Sequence, residues 1–211
     1  MAVIEPKMVA AAGPTRRARV IVFGLVAILL LGLGVLIAMS AYRDDGGAVQ
    51  GSGPGGAFTL TDPAGRTVTD QTLRGKPYAI FFGFTRCPDV CPTTLSRMTQ
   101  LRKQMGAQGM KYNIVFVSVD PGHDKPADIG NYLTLFGTPI IGLTGTDAQI
   151  AQITKAYGVY FRQVPVEGGD YTIDHMAGIM LFDRNGRFAE MMDGTEPIAV
   201  SLTRLRKLIS A

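Results

Sequence analysis

Residues 20–40 read VIVFGLVAILLLGLGVLIAMS, 21 positions without a charged side chain. This stretch divides the chain in two before any finer pattern is considered. As a helix it would be roughly 31 Å long, enough to cross the hydrocarbon core of a bilayer. Arg16, Arg17 and Arg19 stand just before it. By the positive-inside rule they keep residues 1–19 in the cytoplasm and send everything after residue 40 across. A cleaved signal peptide is the alternative, with Ala38-Met39-Ser40 as a passable small-residue cleavage site. The run exceeds the about 7 to 15 residues usual for a signal core, so an uncleaved, single-pass transmembrane anchor over 20–40 is expected. Both readings place the rest of the chain outside the cytoplasm.

The net charge of +4 belongs mostly to this front part. Lys7 and the three arginines against Glu5 give +3 before residue 43, leaving 17 basic and 16 acidic residues, or +1, in the rest. A nearly neutral domain without a basic block argues against nucleic acid as a partner. Residues 43–57, RDDGGAVQGSGPGGA, hold six glycines and no apolar period. They read as a flexible linker spanning about 20 Å on average. The folded domain is expected over 58–211, large enough to build its own core. An extracytoplasmic domain of that size can form a disulfide but does not need its two cysteines as a staple.

Within the domain, strand-like and helix-like patterns alternate. Residues 58–60 and 66–69 flank the turn Asp62-Pro63-Ala64-Gly65 and suggest a hairpin. The apolar runs YAIFFGF (78–84) and NIVFVSV (113–119) predict buried strands. Pro92 is tolerated only in a first helical turn, which predicts a helix from about 92 to 105, ended by Gly106. Asp124, with Pro126 behind it, predicts the cap of a helix closed by Gly137. Residues 140–143 read as a short strand. Thr146 and Gln149 form a capping-box pattern opening a helix to Gly158. Strands over 178–183 and 188–192 flank the Asn185-Gly186 turn. Ile198, Leu202, Leu205 and Leu208 give the last helix its apolar stripe. The order implies an α/β domain with a central mixed sheet and helices on both faces.

Both cysteines of the chain lie in FTRCPDVCP, residues 84–92, between a predicted strand and a predicted helix. Sites in open α/β sheets gather at the carboxyl ends of strands. A helix start favours thiolates, the form needed for redox attack and for metal binding. Cys87 and Cys91, with three residues between them, can bridge each other or clasp one ion. A third soft or borderline donor would make a copper site plausible. The chain has two histidines. His175, in YTIDHMAGIMLFD just before a predicted strand, reads on its own more readily as a hydrogen-bonded structural residue than as a ligand. His123, in DPGHD, reads as a solvated loop residue beside a helix cap. The seven methionines after residue 42 are scattered and read mainly as core filling. On the residues alone, a metal site, a redox couple and a structural disulfide all stay open. A peroxidase is disfavoured because no activating base is evident.

Four segments carry a resemblance: FFGFTRCPDVCPTTL around the cysteines, FVSVDP after the next strand, GLTGT before the capping box, and YTIDHMAGIMLFDRNG around His175. Together they resemble the SCO/SenC family of copper chaperones for cytochrome c oxidase, over about residues 57–211. The resemblance implies a thioredoxin-like fold with a hairpin inserted near the end. It also implies one copper ion, Cu(I) or Cu(II), bound by Cys87, Cys91 and His175. The implied role is assembly of the oxidase's binuclear copper centre, by copper delivery or by reduction of its cysteines. The implied partners are the copper-centre subunit and another copper chaperone or a thiol reductant. Two departures stand out. The family's Asp-Pro-x-Arg-Asp reads DPGHD here, with His123 in the arginine's place, and Met180 stands in a strand that commonly carries tyrosine. The main alternative is a thiol-disulfide oxidoreductase of the thioredoxin class, although its pair is usually one residue closer. The short N-terminus, lacking an Arg/Ser-rich presequence, suggests a bacterial plasma membrane with the domain on its outer side.

Overall fold

The computed structural model describes Arg16, residues 25–35 and residues 53–210. Residues 25–35 are helical and exposed. The rest of the apolar run 20–40 lies outside the described residues, as do 43–52 of the expected linker. Among the described residues no helix is long and apolar enough to cross a membrane. The end of the expected linker is tied to the domain: Gly55 N–H donates to Ala156 O at 3.0 Å, and Gly53 packs on Phe188.

The domain opens with the expected hairpin, β1 (Thr59–Thr61) and β2 (Thr67–Thr69), paired antiparallel. Asp62 closes the turn by accepting from the backbone of Ala64 and Arg66, both at 2.9 Å. A short α1 (Asp70–Leu73) follows on a Thr69 cap. Next come β3 (Tyr78–Gly83), α2 (Val90–Gln104), a 3-10 turn (Gly106–Lys111) and β4 (Asn113–Ser118). The middle of the domain holds α3 (Pro126–Thr134), β5 (Ile141–Leu143) and α4 (Asp147–Tyr157). The chain then forms a separate hairpin, β6 (Phe161–Pro165) and β7 (Tyr171–His175), before β8 (Ile179–Phe182), β9 (Phe188–Met192) and α5 (Ile198–Ser210).

The main sheet has the order β5-β4-β3-β8-β9. Strands β5, β4 and β3 are parallel and β8 turns antiparallel to β3, so the sheet is mixed. Every residue of β3 is buried, as expected for a central strand covered on both faces. Phe81, Phe82, Phe116 and Phe182 are each at most 1 % exposed. Burying each contributes about 2–3 kcal/mol of transfer free energy. Thr146 and Gln149 form the capping box of α4, and Gly158 ends it in the left-handed region at φ 64°. Met98, Met105, Met180 and Met192 fill the core, whereas Met110 and Met191 are exposed.

Two local expectations need correction. Helix α2 starts at Val90, so Cys91 lies inside its first turn and not ahead of it. Asp124 does not cap α3. Lys125 occupies that position, and the Asp124 side chain is used elsewhere.

Candidate metal centre

Parallel β3 and β4 end side by side, with Gly83 paired to Ser118. The two loops leaving these ends, and the start of α2, surround the cysteines. Cys87 stands two residues before the Asp89 cap of α2 and is half-buried; Cys91 is the second helical residue and fully buried. The Cys91 amide, one of the first-turn donors a helix cannot satisfy internally, donates to Cys87 Sγ at 3.4 Å. The two sulfurs are not bonded to each other. Cys91 Sγ sits where a side chain on β3 would stand. A Cβ at Gly83 would come within 2.6 Å of it, so this close approach requires glycine.

His175 ends β7, a strand the residues did not predict, four residues before β8 begins at Ile179. Its ring meets Phe81 and Phe84 edge-on, with centroids 6.0 and 5.8 Å away. Nδ1 lies 3.1 Å from the Met176 carbonyl and Nε2 lies 3.4 Å from Cys91 Sγ. A proton on Nδ1, donated to that carbonyl, leaves the Nε2 lone pair facing the sulfurs. Burial lowers the ring's pKa from 6.5, which keeps it neutral and able to bind an ion at neutral pH.

The ligand atoms of Cys87, Cys91 and His175 all lie within 4.8 Å of one another, which can hold a metal ion. Among the described residues no other group of three such side chains converges this way. His123 is not brought to this group. The expectation that the helix start favours thiolates fails at Cys91. Burial is the largest influence there and raises its pKa far above the usual cysteine value, so the uncharged thiol is the resting form.

Several residues around the centre carry roles the sequence did not reveal. The Asp124 carboxylate accepts from the Thr85 amide at 2.9 Å, from the Thr85 hydroxyl at 2.5 Å and from the Ser118 hydroxyl at 2.5 Å. It thereby fixes the start of the cysteine loop to the end of β4. Asp120, fully buried, accepts from the Tyr171 hydroxyl at 2.6 Å and pairs with Arg86 at 3.4 Å. His123 Nδ1 lies 3.1 Å from both Asp120 oxygens and 2.8 Å from Arg86 Nη2. The local hint was Asp120 placed directly after an apolar strand, where sheet sites gather.

These features define a thioredoxin-like α/β domain with a cysteine-cysteine-histidine cluster at the carboxyl end of its central strands. The SCO1/SenC family model matches residues 48–210, and the chain belongs to that family. It is 38% identical over 141 residues to Protein sco1 of Schizosaccharomyces pombe, covering 65% of this chain and 54% of that protein. The chain thus spans about half the length of that relative. A structure of Bradyrhizobium japonicum ScoI with copper bound is 44% identical, with a TM-score of 0.69, covering 74% of this chain and 99% of that one. Yeast Sco1 with copper bound is 31% identical, with a TM-score of 0.70, covering 75% and 90%.

Proposed function

We propose that this chain is a membrane-tethered copper chaperone that binds one copper ion through Cys87, Cys91 and His175. The observation that carries this reading is the convergence of two sulfurs and one imidazole nitrogen within 4.8 Å. Thiolates suit Cu(I), and an added imidazole lets the same set accept Cu(II). Both solved relatives named above hold copper. Three protein donors, one of them on half-exposed Cys87, leave the ion open to ligand exchange with an acceptor. That suits cargo to be passed on better than a closed structural site does. The acceptor is the copper-centre subunit of cytochrome c oxidase, as the family resemblance implies. Residues 20–40 serve as the anchor and residues 43–52 as the tether, holding the domain on the outer side of a bacterial plasma membrane.

The purified full-length chain is expected to bind one copper per molecule and, with Cu(II), to show a thiolate-to-metal charge-transfer band. Cys87→Ala, Cys91→Ala and His175→Ala should each abolish tight binding. A wild type that binds no copper overturns the reading. Full-strength binding by His175→Ala overturns the three-ligand set.

A thiol-disulfide oxidoreductase is the second reading. A half-exposed Cys87 backed by a buried Cys91 matches the division between an attacking and a resolving sulfur. That chemistry leaves His175 without a role, so exchange activity retained by His175→Ala, with no copper bound by the wild type, would favour it. The two readings meet in one protein if oxidation of the pair to a disulfide withdraws both thiolates from the ion.

A further inference from the structure

The β6–β7 hairpin brings His175 to the cysteines, yet it forms a two-stranded sheet of its own and pairs with no strand of the main sheet. Two strands alone are marginally stable in water. The hairpin's apolar anchorage is partial: only Ile173 is fully buried, with Phe161 and Tyr171 half-buried against the core. Polar ties must therefore contribute to where it sits, and they are concentrated at the Tyr171 end of β7. The Tyr171 hydroxyl donates to Asp120 Oδ1 at 2.6 Å. Arg86 Nη1 donates to Asp170 Oδ2 at 2.7 Å and Arg86 Nη2 to the Tyr171 carbonyl at 3.3 Å. The same Nη2 reaches Asp120 Oδ2 at 3.4 Å. The planar guanidinium spans these acceptors at once, which a lysine could not do.

We propose that Asp120, Arg86 and Tyr171 are positioning residues for the metal centre: a clasp that fixes the histidine-bearing hairpin against the cysteine-bearing loop. The inference rests on the copper reading above. Its logic is the placement of the three residues in the chain. Arg86 directly precedes Cys87. Asp120 follows β4, which is paired along its length with the strand leading to the cysteines. Tyr171 begins the strand that His175 ends, about 13 Å away at the usual rise per residue. Holding that strand at one end sets the direction in which it delivers the imidazole at the other. Asp120 can serve as the fixed point because it is fully buried and its backbone is held in turn: its amide donates to Ser118 Oγ at 3.1 Å, and its carbonyl accepts from His123 and Asp124. His123 packs against the Tyr171 ring, with centroids 4.9 Å apart.

Tyr171→Phe removes one hydroxyl, keeps the ring and leaves Asp120 its Arg86 partner, so it is the variant to test. Arg162→Ala, which removes the exposed Arg162–Asp174 pair on the same hairpin, is the control. Copper affinity of the full-length protein is measured with the electron paramagnetic resonance of its Cu(II) form. Tyr171→Phe should bind about 10- to 100-fold more weakly, the range typical when an outer-shell partner is lost. At saturating copper it should lose nitrogen hyperfine coupling while keeping the thiolate charge-transfer band; Arg162→Ala should keep both. Wild-type affinity and nitrogen coupling in Tyr171→Phe overturn the proposal. Hydrogen exchange of the metal-free proteins separates the two readings. If the wild type binds no copper, the copper reading falls, and the clasp is judged by exchange alone. Faster exchange over residues 171–176 in Tyr171→Phe than in Arg162→Ala supports it, and equal exchange overturns it.

Discussion

The two ends of β4 each hold a buried charge, and they are built in opposite ways. At the amino end Arg102, 5 % exposed, donates to the carbonyls of Gly109, Tyr112 and Pro139 and to the Thr138 hydroxyl. Most of its partners are main-chain atoms, which cannot leave without unbending the loops that carry them. At the carboxyl end Asp120 is held by the side chains of Arg86, His123 and Tyr171, which come from three separate segments. Side chains from different segments can exchange partners without unfolding any of them. One strand thus has an end fixed by main-chain acceptors and an end held by side chains, and the cysteines and His175 stand at the side-chain-held one.

The comparison breaks most directly at Arg102. Arg102→Met keeps the apolar stem but leaves the Gly109, Tyr112 and Pro139 carbonyls without their donor. Each unsatisfied buried group costs about 1–3 kcal/mol, so the loss at the two buried carbonyls, Gly109 and Tyr112, is expected to total about 2 kcal/mol or more. Urea unfolding of the metal-free protein measures it. Copper affinity of the folded fraction should stay within about twofold of wild type, since no hydrogen bond runs from Arg102 to the site. A loss below about 1 kcal/mol would mean that this end is not the fixed one.

Gly83→Ala sharpens the comparison from the other side. The new Cβ would meet Cys91 Sγ at 2.6 Å, Phe81 at 3.0 Å and Phe116 at 3.1 Å. Overpacking of this kind costs about 1–3 kcal/mol. Here the damage should fall on binding as well, because the nearest displaced atom is a proposed ligand. Copper titration and urea unfolding on the same sample should show both losses. A stability loss with unchanged copper affinity would argue that the Cys91 sulfur is free to move, against the packed position described above.

What the sequence revealed, and what it hid, follows the same division between local and distant causes. Strands β3 and β4 were legible because a fully buried strand is an unbroken apolar run. Thr146, Gln149 and Gly158 were legible because caps are local chemistry. Asp124 misled because its local pattern, an acidic residue two before a proline, is that of a helix cap. Its carboxylate instead bonds Thr85, 39 residues earlier in the chain. The β6–β7 hairpin was not read from the residues: in FRQVP and YTIDH only Ile173 is fully buried, so they carry no clear period. Arg86, Asp120 and Tyr171 are separated by 34 and 51 residues, and no spacing rule joins them. The cysteine pair was visible at once. His175 stayed open on its own residues and was singled out only by resemblance, because the contact that marks it is with Cys91, 84 residues away.

The smallest effect expected is also the one that turns most directly on protonation. Burial keeps the Cys91 thiol protonated through the neutral range. Copper must displace that proton, which then competes with the ion for the sulfur. His175 adds no competition above pH 6.5, because burial lowers its pKa from that value. Affinity should therefore rise with pH, and each unit of acidification should weaken binding at least about tenfold, or about 1.4 kcal/mol. The measurement is a copper competition titration from pH 6.5, the ordinary histidine value, to about 8. A dependence shallower than one proton per ion would mean that Cys91 keeps its proton and does not ligate. Arg102→Met should show the wild-type slope, since its end of β4 exchanges no proton with the ion. A change in slope there would show that the two ends of the strand are coupled after all.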